Sequence, residues 1–184
     1  MFTYMDDGIY NTMKTKSKLN IFKDYLGFLN KLDELNEDEK SILNTFAYNF
    51  INTIENTSMS KTYKLPVFLA FYNNGNIKLK IDDNDLYNSF KDFYSKGSNK
   101  VDMLKDKQTS DFMNWDSKKY VSLARRNPVK FLLKSSSDFF YEDEDKFCLN
   151  DKLKDYINND MFIKEFIDAI EFRTKQYYKN RFEK

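Results

Sequence analysis

The order of the predicted helices and strands between residues 63 and 149 constrains the fold of this 184-residue chain more than any other feature. Apolar residues recur at three- and four-residue steps where a helix is predicted, and they alternate with polar residues where a strand is predicted. Asn, Asp, Gly or Pro stands at the turns between these segments. In chain order the segments are a short helix from Lys64, a strand at 77–81, a helix at 86–94, a helical segment at 117–134 that bends at Asn127-Pro128, and a hairpin at 138–149.

Helix, strand, helix, helix, strand, strand is the order of a winged helix, in which a β-hairpin follows the third helix of a helix-turn-helix unit. We therefore expect the strand at 77–81 to pair with the hairpin at 138–149. The predicted fold class is α+β, mainly α with a small antiparallel sheet. Residues 57–184 are predicted to form the winged-helix-like domain, which ends in an amphipathic helix at 160–182.

A helical hairpin is predicted to precede this domain, over residues 1–56. Apolar residues share one face of a helix at 17–35, and a second helix continues to residue 56. Between them Asn36 has the position of an N-cap, and Glu39 completes a capping box three residues later. We expect the two helices to pack antiparallel.

The composition excludes several classes of function. The chain contains no histidine, which removes histidine-based acid–base catalysis, Cys-His and Ser-His-Asp arrangements and nearly all zinc sites. The single cysteine, Cys148, permits no disulfide within the chain and is expected in the core. No glycine-rich phosphate loop occurs, and we predict a non-catalytic protein without a cofactor. Neither a signal-peptide pattern nor an apolar run of membrane-spanning length is found, so no membrane association and a cytoplasmic location are expected.

Six cations and no acidic residue lie between positions 117 and 134. The whole chain has a net charge of only +1, and so these cations form a local patch rather than part of a general positive field. A helix that reads DNA needs cations for the phosphates and short polar groups for the base edges. The predicted DNA-binding residues are Lys118, Lys119, Arg125, Arg126, Lys130 and Lys134.

The two arginines occupy the predicted bend, and we expect them to bind DNA more strongly than the two lysines earlier in the helix. The planar guanidinium can donate two parallel hydrogen bonds to a phosphate or a guanine, which an ammonium cannot do. In the alternative interpretation, Arg125 and Arg126 only cap the C-terminus of their helix by bonding its carbonyls.

Four consecutive carboxylates, from Glu142 to Asp145, occupy the tip of the predicted hairpin. They would repel phosphates, which favours a second function as a protein-binding winged-helix module. A third alternative is a metal-dependent nuclease fragment, in which Glu142, Glu144 and Lys146 would serve a magnesium site. Neighbouring carboxylates at a hairpin tip point apart, however, and a solvated turn is the simpler interpretation.

Residues 53–72 contain Thr57-Ser58-Met59-Ser60-Lys61 followed by Tyr63-Lys64-Leu65-Pro66-Val67, and residues 127–140 contain Asn127-Pro128-Val129-Lys130-Phe131-Leu132 and then Phe139-Phe140. These two stretches resemble the region that follows the motor domains in bacterial DEAD/DEAH-box (superfamily 2) helicases of the restriction-associated type. The resemblance implies a C-terminal accessory domain, with DNA and a helicase motor as partners. Because none of the motor motifs occurs here, it implies no ATPase residues.

Overall fold

The computed structural model of the chain describes residues 21–182. The helices are α1 (Tyr25–Lys31), α2 (Glu37–Lys40), α3 (Phe46–Asn56), α4 (Lys64–Ala70), α5 (Asp83–Ser95), α6 (Val101–Leu104), α7 (Ser117–Ala124), α8 (Lys130–Ser135) and α9 (Asp160–Phe182). The strands are β1 (Tyr72–Asn73), β2 (Asn76–Ile77), β3 (Lys80–Ile81), β4 (Phe140–Asp143) and β5 (Lys146–Leu149). This composition of elements confirms the predicted α+β class, mainly α with small antiparallel sheets.

The larger sheet has three antiparallel strands in the order β3–β5–β4. Ile81 lies opposite Phe147, and Phe140 lies opposite Leu149, so that buried side chains align on the face that meets the helices. The pairing expected between the first strand and the later hairpin is therefore confirmed. Helix α4 packs against α5, and α5 packs against α7, beside this sheet. The winged-helix assignment itself stays a prediction.

The segment predicted as one strand at 77–81 belongs to two separate strand pairs. Ile77 pairs with Tyr72 in the hairpin β1–β2, whereas Lys80 and Ile81 form β3 in the larger sheet. Asn74 and Gly75 close the smaller hairpin with φ values of 48° and 87°. Two positive φ values are typical of the type I′ turn that suits a two-residue hairpin loop. The single-strand prediction was wrong because alternation of side chains does not reveal a change of partner strand.

The capping box predicted at Asn36 is confirmed. The Asn36 side chain accepts a hydrogen bond from the Glu39 amide at 2.9 Å, and the Glu39 carboxylate accepts one from the Asn36 amide at 3.0 Å. The prediction of one helix that continues to residue 56 was wrong, because the structure has two helices there, α2 and α3. Asn44 has a φ of 58°, which ends the first part, and Thr45 caps α3 by accepting from the Tyr48 amide. The helix predicted at 17–35 begins outside the described residues, and its described part is a 3₁₀ turn followed by α1. Helix α3 packs against α9.

The bend predicted at Asn127-Pro128 is a π turn, Arg125–Val129, and not a break between two helices. The Lys130 amide donates to the Arg125 carbonyl five residues earlier. In an α-helix, the Pro128 ring would collide with the carbonyl four residues before it, and the wider turn removes that conflict. Helices α7 and α8 therefore form one helical rod with a local widening.

Aromatic side chains fill the core where the N-terminal helices meet the rest of the chain. The Phe50 ring lies within 6.2 Å, centroid to centroid, of four other phenylalanine rings, which come from β4 with its preceding residue and from α9. Cys148 is buried, as predicted. Helix α9 confirms the predicted C-terminal helix. No helix within residues 21–182 combines the length and the apolar character that crossing a membrane requires.

Candidate nucleic-acid interface

The rod formed by α7, the π turn and α8 carries all six of the predicted DNA-binding cations. Asp116 starts the rod by accepting a hydrogen bond from the Lys119 amide at 2.9 Å. Tyr120, Leu123 and Leu132 are buried on its inner side. The cations whose side chains are exposed are Lys118, Lys119, Arg126, Lys130 and Lys134, whereas Arg125 is only partly exposed.

Arg125 is engaged within the chain. Its Nε donates to Asp83 Oδ1 at 2.9 Å, Nη1 donates to Glu142 Oε1 at 3.4 Å, and Nη2 donates to the carbonyl of Asp145. The guanidinium thereby joins the N-terminus of α5 to the hairpin β4–β5. Among the described residues, no side-chain hydrogen bond links Arg125 or Arg126 to a carbonyl of its own helix, so neither guanidinium caps the C-terminus of that helix.

Arg126 faces different neighbours from Arg125. It lines a cleft of about 610 Å³ together with Lys107, Lys118 and Lys119. We call this space the tryptophan cleft, because the indole of Trp115 forms part of its wall. The structure therefore brings Lys118, Lys119 and Arg126 together, whereas Lys130 and Lys134 do not line this cleft.

Two carboxylates also line the tryptophan cleft, and each accepts a local hydrogen bond. Asp116 caps α7, and Asp111 Oδ1 accepts from the Trp115 indole nitrogen at 2.7 Å. Lys119 Nζ lies 3.9 Å from Asp111 Oδ2 and 6.0 Å from the centroid of the indole ring. The hydrogen bond to Asp111 therefore holds the indole beside the Lys119 ammonium group. Four cations and two carboxylates line this cleft.

A second cleft, of about 840 Å³, adjoins the first through Arg126 and Gln108. We call it the phenylalanine cleft, after Phe131, whose side chain is 55% exposed. Lys61 forms an ion pair with Asp106 across it, with 2.7 Å between Nζ and Oδ2. This hydrogen bond is the main reason that the pKa of Asp106 lies below its usual value.

The acidic hairpin tip is partly neutralised by cations from other elements. Glu142 contacts Arg125, and Asp143 Oδ2 lies 2.6 Å from Lys80 Nζ. The Lys80–Asp143 hydrogen bond lowers the pKa of Asp143 and raises that of Lys80. Glu144 and Asp145 remain exposed. Within residues 21–182, no group of three His, Cys, Asp or Glu side chains is placed to hold a metal ion, and the nuclease alternative gains no support.

Lys107, Trp115 and Phe131 were missing from the predicted set of binding residues. Lys107 lies ten residues before α7, and only the folded chain brings it to the same cleft. A lone tryptophan next to a capped basic helix is the one signal that points to this wall from the sequence. Phe131 lies in an apolar run that is typical of a core residue, yet its side chain is 55% exposed.

No family model, curated protein or solved structure matches this chain. The similarity of residues 53–72 and 127–140 to helicase accessory regions therefore stays a prediction, and the candidate interface is defined by its geometry and charge.

Proposed function

We propose that this chain is a non-catalytic accessory module that binds DNA through the tryptophan cleft and the exposed side of α7. The charge of the cleft is the observation that supports this most. Four cations, Lys107, Lys118, Lys119 and Arg126, face two carboxylates that already accept hydrogen bonds, in a chain with a net charge of only +1. Such a local excess of cations attracts phosphates without a general positive field.

Arg126 is the strongest candidate for direct phosphate contact. It is exposed, its guanidinium has no hydrogen-bond or ion-pair partner among the described residues, and it stands where the two clefts meet. A planar guanidinium can bind a phosphate with two parallel hydrogen bonds. Arg125, by contrast, holds the hairpin against α5 and is a positioning residue. Lys130 and Lys134 extend the positive surface along α8.

The test is fluorescence anisotropy with labelled duplex and single-stranded DNA over a series of salt concentrations. Lys118→Gln combined with Arg126→Gln should weaken binding and reduce the slope of log K against log salt by about two units for duplex. The matched control is Lys154→Gln with Lys175→Gln, which removes the same charge from exposed positions outside both clefts. Equal losses in the two double variants would mean a diffuse electrostatic effect and would contradict the cleft as the site.

Protein binding is the second candidate function, and the exposed carboxylates of Glu144 and Asp145 favour it. A duplex would be repelled by this tip, whereas a basic protein surface would be attracted. The resemblance to helicase accessory regions suggests a helicase motor as such a partner. Capture of a partner that is lost in Glu144→Gln with Asp145→Asn, and retained in Lys118→Gln with Arg126→Gln, would favour this alternative over DNA binding.

A further inference from the structure

The two clefts of the candidate interface belong to a longer groove. The phenylalanine cleft shares Ser58, Met59 and Ser60 with a third space of about 850 Å³, which lies beside the last turns of α9. We call this third space the arginine cleft, because Arg173 and Arg181 line it. The three clefts therefore follow one another from α9, past the loop before α4, to the rod of α7 and α8, and we refer to them together as the groove.

We infer that this groove holds a single strand of nucleic acid, with its phosphates on the cations and its bases against Trp115 and Phe131. The inference rests on the proposed function and specifies the ligand as a single strand rather than a duplex. Proteins that bind single strands combine a positive groove with aromatic side chains, because every base presents a flat face for stacking.

The aromatic groups stand where such stacking requires them. Trp115 is partly exposed in the wall of the tryptophan cleft, and the Phe131 side chain is 55% exposed in the phenylalanine cleft. Arg126 lines both clefts. An exposed phenylalanine beside a cation leaves apolar area in water, and a stacked base would cover that area.

The acidic groups along the groove oppose a strand less than their number suggests. Asp106 is paired with Lys61, whose ammonium lies 2.7 Å away. Glu55 lines the arginine cleft but is buried, and this burial, followed by the charge of Asp24, raises its pKa well above the usual value. The cations Lys23, Lys64 and Lys107 also line the three clefts.

The surroundings of the groove disfavour a duplex. The bases of a duplex are stacked on one another, so a duplex would present its backbone and base edges to the three clefts and could not stack its bases on Trp115 or Phe131. Of the six cations predicted to bind DNA, Arg125 is bound to Asp83 and Glu142. The exposed Glu144 and Asp145 at the hairpin tip line none of the three clefts, and they would repel a duplex that extended to the tip.

The intrinsic fluorescence of Trp115 reports directly on this inference, because it is the only tryptophan in the chain. The full chain is titrated with an oligothymidylate of about 15 nucleotides, with the matching oligouridylate, and with a duplex of the same length. A base stacked on the indole quenches its emission. We expect quenching and tighter binding with a single strand than with the duplex, and a slope of log K against log salt that shows several phosphate contacts.

Two exposed apolar side chains give a matched pair of variants that should fold normally. Phe131→Ala removes a ring from the groove and should weaken single-strand binding about tenfold, the usual loss for one stacked base. Met113→Ala removes a side chain that is 76% exposed and lines none of the three clefts, and it should leave the affinity unchanged. Lys23→Gln, in the arginine cleft, should lower the affinity for the oligothymidylate of about 15 nucleotides. It should leave the affinity for an oligothymidylate of about four nucleotides unchanged, because that strand is too short to span all three clefts.

The outcomes separate this inference from the proposed function. Duplex binding that equals or exceeds single-strand binding, without quenching of Trp115, would overturn the groove and leave DNA binding in place. Binding of the oligouridylate alone would support the groove and overturn the choice of DNA. No binding of any of the three at low salt would overturn both. Unchanged affinity in Phe131→Ala would overturn the inference even if other variants lose binding.

Discussion

At the scale of single residues, neighbouring cations of one helix have different roles. Arg125 and Arg126 are adjacent in the sequence, yet one guanidinium contacts Asp83 and Glu142 and the other borders two clefts. Their directions differ because successive residues of a helix point about 100° apart. A contact between Arg125 and a carboxylate 42 positions earlier depends on tertiary packing, which composition and spacing do not reveal.

Arg125→Ala should lower the free energy of unfolding by about 1 kcal/mol, because it removes a partly buried guanidinium from two carboxylates and a carbonyl. Arg126→Ala is the matched control and should change stability by less than about 0.5 kcal/mol. Urea unfolding of both variants measures the difference. Similar losses in the two would show that Arg125 does not hold the hairpin.

At the scale of elements, the parts that local signals determine were predicted well. The capping box at Asn36, the hairpin β4–β5 and helix α9 all depend on residues close together in the sequence. The break at Asn44 and the π turn around Pro128 were not predicted. A positive φ at a non-glycine residue leaves no mark in apolar periodicity, and one additional residue in a helical turn only shifts the phase of a pattern that is short on both sides of it.

The attachment of α9 to α6 depends on one buried carboxylate. Asp102 is 1% exposed and accepts hydrogen bonds from the Thr62 amide, the Thr62 hydroxyl and the Tyr177 hydroxyl, each at 3.0 Å. Arg181 Nε lies 3.5 Å from the same carboxylate. Burial, followed by the charge of Asp102, raises the pKa of Tyr177. The groups that converge here come from three separate segments of the chain.

Asp102→Ala should therefore lower the free energy of unfolding by about 3 kcal/mol, because it leaves several buried donors and a guanidinium without their acceptor. Asp155→Ala, at an exposed position, serves as the control and should be nearly neutral. Chemical denaturation gives both values. A loss of less than about 1 kcal/mol in Asp102→Ala would contradict the role of this carboxylate.

At the scale of the whole molecule, the pH dependence of stability near neutral pH cannot come from histidine, because the chain has none. We expect it to come from a buried carboxyl group. Glu165 of α9 is 2% exposed, and its pKa is raised from 4.5 to about 7. Burial is the main cause, the charges of Asp168 and Glu39 add to it, and Lys164 opposes it. The folded state therefore binds a proton that the unfolded state releases above pH 4.5.

The sign of the pH dependence follows from this difference. The contribution of Glu165 to stability is complete below about pH 4.5 and is lost as the pH rises to about 7, by about 3 kcal/mol in total. Glu165→Gln should remove that part of the dependence and make the protein more stable than the native chain at pH 8. Thermal unfolding from pH 5 to pH 8 measures it, and parallel pH profiles for the two proteins would contradict the assignment.

The π turn at Arg125–Val129 has a consequence for how this rod tolerates changes in length. Each residue added to a helix rotates everything after it by about 100°, so the one additional residue of this turn sets the phase of α8 against α7. A homologous chain shortened by one residue here could keep both helices and every cation. Its Phe131 would nevertheless point in another direction from Arg126, and the two side chains would no longer line one cleft.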